Sequence, residues 1–197
     1  MGDTSSPVHS YNVRISHWIN VVACAYLLVS GVHILLDFPE LYWGHTGYRG
    51  YPAIFKLADW GVSWDEAGAL GDRRWGRNAH FTAAWVFLVN GVIYVGWNLY
   101  TRYFREGMLP TYGRLQRTAY FLLIFVFVPL MILTGIAQSP GFTAAMPVLL
   151  DMFGGRQSAR TLHTVGTVAL VLFVAVHVFE VARSGFVGKL RAMMVGK

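Results

Sequence analysis

The chain has 197 residues, enough for one domain, with 55% hydrophobic and only 13% charged residues, whereas a soluble domain carries about 25% charge to cover its surface. That deficit excludes an ordinary soluble fold. The formal charge of +6 does not indicate nucleic acid either, because the basic residues sit at the edges of apolar runs, as membrane flanks do.

Four windows reach the roughly 20 residues that a membrane helix needs. They cover residues 15–36, 79–100, 118–137 and 161–182, and the first two contain no Asp, Glu, Lys or Arg. Their apolar character is continuous rather than alternating, so helices are expected and strands are not. The expected fold is an all-α integral membrane protein, a four-helix transmembrane bundle in a single domain spanning residues 1–197.

The first window is too long for a signal-peptide core and lacks an Ala-x-Ala site, so it reads as a retained anchor. Cys24, the single cysteine, excludes a disulfide framework and cysteine-based metal sites and reads as a small apolar residue in a helix interface. Between the first two windows lies a long loop, 37–78, with Tyr42, Trp43, Tyr48, Tyr51, Phe55, Trp60 and Trp64. These aromatics form either an interfacial belt, the simpler reading, or a cap that docks a partner. Pro129, inside the third window, is expected to kink a membrane helix without ending it. Residues 142–153 form a short apolar stretch suited to the membrane surface. Gly31, Gly91, Gly135 and Gly166 recur within the spans, where they allow close helix packing or make room for a flat macrocycle.

Orientation follows from charge. The N-terminal tail, the second loop and the C-terminal tail together hold nine basic and three acidic residues, whereas the other side holds seven of each. An excess of Lys and Arg marks the cytoplasmic side, so both termini are expected in the cytoplasm.

Histidine in a membrane helix is costly and usually functional. His163 and His177 lie fourteen residues apart in the fourth window, on nearly one face and about 21 Å apart along the axis. The first helix starts inside, which brings His17 level with His177. The second starts outside, which brings His80 level with His163. Two pairs at two depths suit bis-histidine haem, with axial ligands His17, His177, His80 and His163. Both axial positions are then filled, which restricts the chemistry to one-electron transfer. Separate pairs cannot complete a tetrahedral zinc site.

Arg14, Arg77 and Arg160 each precede one of these histidines by three positions, one helical turn. They are either ordinary positive flanks or partners for haem propionates. His33 lies near the outer end of the first helix, either competing with His80 or bonding a propionate or quinone. His9 and His45 are expected in solvent.

Residues Arg14-Ile-Ser-His17-Trp18-Ile-Asn20 resemble the opening of bacterial di-haem cytochrome b subunits of nickel–iron hydrogenases, formate dehydrogenases and thiosulfate reductases. Leu41-Tyr-Trp-Gly44, Arg74-Trp-Gly-Arg-Asn-Ala-His80 and Gly154-Gly-Arg-Gln-Ser-Ala-Arg-Thr-Leu-His163 are most similar to the branch that pairs with periplasmic molybdopterin oxidoreductases. The resemblance covers nearly the whole chain. It implies two haem b groups on the same four histidines, a multi-pass location in the bacterial cytoplasmic membrane, and electron transfer between the quinone pool and a periplasmic oxidoreductase subunit. It also implies a quinone pocket near His17 and His177. The competing readings are a self-sufficient membrane oxidoreductase, of superoxide oxidase or ferric reductase type, and a haem-free anchor.

Overall fold

The computed structural model describes residues 10–106 and 113–196. His9 lies outside them. Among the described residues four helices are long and apolar enough to cross a membrane: α1 (Tyr11–Asp37), α3 (Arg73–Tyr100), a third described below, and α9 (Arg156–Arg183). Twenty-seven residues rise about 40 Å, more than the roughly 30 Å hydrocarbon core, so the ends of these helices stand in the headgroup zone. Most of their large apolar side chains face outward, as lipid contact requires.

Each helix is longer than its apolar window; α3 begins at Arg73 rather than at residue 79. The extra turns are charged and owe nothing to the bilayer. Asp72 starts them by accepting a hydrogen bond from the Trp75 amide at 2.9 Å, an N-cap that satisfies one of the first orphaned amides.

The third span is built in three pieces. Helix α5 (Arg114–Leu122) passes through a π-helical turn at Leu123–Phe127 into α6 (Val128–Ala137). Pro129 has no amide to offer the carbonyl one turn earlier. The wider π-helical turn directly before it absorbs that loss without ending the helix.

The helices pack as two antiparallel hairpins. In the first, α1 lies along α3, and in the second, α6 lies along α9; close backbone approach is concentrated within each hairpin. At one end of the first hairpin, Asn90 donates to the Ser16 carbonyl at 3.0 Å and to Asn20 Oδ1 at 2.8 Å, while Ser16 Oγ donates to Asn90 Oδ1 at 3.0 Å. Ser16 and Asn90 are both buried. Interhelical bonds of this kind contribute about 0.6–2 kcal/mol each in a membrane. Gly166 meets Met131 in the second hairpin, where an added Cβ would lie 2.4 Å from the sulfur. Gly91 faces open space, so close packing does not account for it.

The long loop is folded into a cap. It contains a two-stranded antiparallel pair, β1 (Glu40–Leu41) with β2 (Phe55–Lys56), a 3-10 turn (Leu57–Trp60) and α2 (Trp64–Leu70). Helix α2 opens with a capping box in which Ser63 and Glu66 bond reciprocally; those bonds hold the Glu66 carboxyl below its ordinary pKa. The stretch 142–153 falls mostly within two short helices, α7 (Pro140–Ala145) and α8 (Val148–Met152). Two further helices, α4 (Tyr103–Glu106) and α10 (Phe186–Val195), lie at the end of the bundle that carries the start of α1.

Tyr42 anchors the cap. It is fully buried, and its hydroxyl donates to Glu40 and lies 2.8 Å from the Tyr48 carbonyl. Burial, helped by Glu40, pushes its phenol well above the ordinary value, so it stays a donor. The loop aromatics therefore divide: Tyr42 is core, while Trp43, Tyr48 and Trp60 are exposed. A uniform interfacial belt does not describe them. His45 is exposed.

Candidate haem site

Histidines from three helices meet two by two. The rings of His80, in the third turn of α3, and His163, in the third turn of α9, have centres 6.1 Å apart and planes inclined by 66°. Those of His17 on α1 and His177 on α9 lie 6.4 Å apart and are inclined by 70°. Helix α9 runs unbroken between its two histidines, which sets the pairs about 21 Å apart along the bundle.

These distances bear on whether a metal fits. A metal–imidazole bond is about 2 Å and each bonding nitrogen lies about 1 Å from its ring centre, so two imidazoles on opposite sides of one ion have centres about 6 Å apart. Both pairs match that span. Among the described residues no three His, Cys, Asp or Glu side chains gather into one cluster, so the imidazoles stand as two separate pairs and not as a tetrahedral set.

The ring orientations of His80 and His163 have a local cause. His80 Nδ1 lies 3.1 Å from Ser30 Oγ on α1, and His163 Nδ1 lies 3.0 Å from Thr134 Oγ1 on α6. Gly31 and Gly135 come next in sequence, and a Cβ on either would lie 3.6 Å from His80 Cε1 or 3.3 Å from His163 Cε1. These two glycines back the imidazoles. The sequence shows the signal, a hydroxyl residue followed by glycine, once on each of two spans; reading glycine alone misses it.

The three arginines have different surroundings. Arg14 donates through Nε to the Met193 carbonyl at 3.3 Å and through Nη2 to Met194, while Trp18 Nε1 bonds Met193 at 3.2 Å. Together they cap the end of α10 beside His17. Arg160 donates to the carbonyls of Glu40, at 2.8 Å, and Phe38, and its guanidinium lies over the Phe38 ring. Both residues fasten backbone. Arg77 is exposed, and no described residue engages its guanidinium.

The cap sits directly on the start of α9. The Gly44 carbonyl accepts from the amides of Gln157 and Ser158 at 3.0 and 3.3 Å, Ser158 Oγ accepts from the Gly44 amide at 2.7 Å, and Thr161 donates to the Tyr42 carbonyl at 2.7 Å. Gly155 provides no side-chain cap, so the loop satisfies amides that the helix start leaves unpaired. This joint lies one to two turns from His163. His33 stands apart from both pairs: its ring packs on Trp75 with centres 5.0 Å apart, and its Nδ1 is buried with no partner among the described residues.

Comparison with known proteins gives a consistent picture. A family model described as prokaryotic cytochrome b561 matches residues 8–196. The chain is 29% identical over 199 residues to a protein of Azospira oryzae named "Putative protein-methionine-sulfoxide reductase subunit YedZ1", covering 89% of this chain and 90% of that one. No solved structure matches.

Proposed function

The chain belongs to the prokaryotic cytochrome b561 family, a membrane electron-transfer protein of the haem b type, and from that premise we propose that it carries two haems between two imidazole pairs. His80 and His163 would hold the outer haem, and His17 and His177 the inner one. The observation that carries this reading is the pair of ring-centre distances, 6.1 and 6.4 Å, at two depths of one bundle. A haem with imidazole on both faces supplies reversible one-electron transfer and keeps no site open for substrate.

The residues of the chain do the rest. The four imidazoles fix two electron-transfer positions across the membrane. Arg77, exposed and without a partner among the described residues one turn ahead of His80, is a cation available to an outer propionate. Among the described residues Arg14 and Arg160 each engage two of their three guanidinium nitrogens, with backbone carbonyls, which leaves further N–H donors for the same purpose. The excess of basic residues around the termini supports a cytoplasmic position for both, in the bacterial inner membrane, which would put the cap outside.

Electrons would pass between the quinone pool, taken up near His17 and His177, and a periplasmic oxidoreductase subunit at the cap. A molybdopterin enzyme fits the motifs around His80 and His163, and the Azospira oryzae relative is itself named as a reductase subunit. The exposed Trp43 and Tyr48, close to the joint with α9, suit the docking face.

Proteoliposomes test this assignment. A quinol should reduce the haems, and a membrane-impermeant oxidant should reoxidise them only from the cap side. Failure of any quinol to reduce them, or turnover of substrate with no partner added, would contradict the proposal.

A further inference from the structure

We propose that Ser30 and Thr134 are a matched pair of positioning residues that hold the outer imidazoles as Nδ1–H tautomers, each leaving Nε2 for iron. The inference rests on the bis-histidine reading above and assigns how that site is tuned.

Proton accounting fixes the direction of the bonds. Ser30 Oγ lies within reach of the carbonyls of Tyr26 and Leu27, and Thr134 Oγ1 is 2.9 Å from the Leu130 carbonyl and 3.0 Å from that of Met131. A carbonyl only accepts, so each hydroxyl gives its single proton to its own helix. What it presents to the histidine is a lone pair. The proton therefore sits on Nδ1, and Nε2 is the basic nitrogen. The reverse arrangement, with the hydroxyl donating to Nδ1, would place the proton on Nε2 and abolish the ligand.

The arrangement occurs twice. On the first helix of each hairpin a hydroxyl residue and a glycine, Ser30-Gly31 and Thr134-Gly135, form a notch. On the second helix a histidine enters that notch, with an arginine three residues before it, Arg77 before His80 and Arg160 before His163. The outer pair is thus made from two copies of one device facing each other. An imidazole that donates from Nδ1 is a stronger electron donor through Nε2, so both copies favour the oxidised iron.

The test is a redox titration of the double variant Ser30→Ala/Thr134→Ala. Both haems should remain, and the reduced-to-oxidised ratio of the outer one at a fixed potential should rise about tenfold, equivalent to about 59 mV for one electron. The inner haem should not move. Each single variant should give part of the shift, which preserves the test if the double variant folds poorly. The exchange Ser30→Thr/Thr134→Ser keeps both hydroxyls and should retain the native potential. An unmoved outer potential in the alanine variants, or a shift of the same size in the exchanged variant, would overturn the inference. Retention of both haems in His80→Ala would instead overturn the ligand assignment on which it rests.

Discussion

Replacing His163 with alanine is expected to leave one haem per chain where two are expected in the native protein. His163 lies opposite His80 with ring centres 6.1 Å apart, and among the described residues no other histidine is placed to substitute for it: His33 is packed on Trp75, and His177 is a further fourteen residues along α9. On the proposed pairing, removing the His163 imidazole therefore leaves His80 as a single ligand in an apolar bundle. The reduced-minus-oxidised b-type spectrum should fall to about half its amplitude, and electron delivery to the cap side should be lost. The residual spectrum should belong to the inner pair, and His177→Ala should give the complementary loss. Two full haems surviving in the His163→Ala protein would show that the pairing is wrong. The spectrum distinguishes the outcomes without reference to turnover.

Gly155→Ala should detach the cap. Gly155 has φ +116°, a conformation that L side chains rarely adopt, and an added Cβ would lie 2.4 Å from the Gly44 carbonyl oxygen and 2.7 Å from the His45 amide. Both obstacles are backbone, so neither can rotate away. Strain of this type costs about 1–3 kcal/mol by itself. The overlap also forces Gly44 off the amides of Gln157 and Ser158, losing a helix cap whose removal typically costs about 1 kcal/mol. The combined expectation is roughly 3 kcal/mol or more of local destabilisation. Protease added from the cap side should cut the loop much faster, and the outer haem should bind more weakly while the inner one persists. Gly141→Ala, in α7 with open space around its Cβ position, is the control and should change nothing. Native-like protease resistance and haem content in Gly155→Ala would show that the cap is not held by this joint.

The membrane helices and the meeting of the histidines were legible in the residue pattern because both depend on one-dimensional quantities. Continuous apolarity gives the spans, and antiparallel chain direction converts the positions of His17, His80, His163 and His177 into depths. What is set by backbone partners was not legible. The carbonyls of Phe38, Glu40, Tyr42 and Gly44 are what bind the cap to Arg160, Thr161, Gln157 and Ser158, and no side-chain pattern encodes a carbonyl's partner. For the same reason Arg14 and Arg160 read as flanks or propionate partners, while their bonds run to backbone. The start of α3 at Arg73 was hidden because an apolar window ends where lipid ends, not where the helix does. Asn90, alone among apolar neighbours on α3, was visible as an anomaly, but its partners Ser16 and Asn20 depend on helix rotation. Ser30 and Thr134 were missed for a related reason: serine and threonine in membrane helices commonly bond their own backbone, which these two do as well.

The haem content and spin state of the purified native chain test the central claim most directly. If imidazoles clamp an iron at each of two levels, quantitation gives two b haems per polypeptide, and low-temperature paramagnetic resonance shows both ferric ions low-spin with nitrogen on either side. A preparation with a single haem, or with a high-spin iron that binds exogenous ligands, would contradict it.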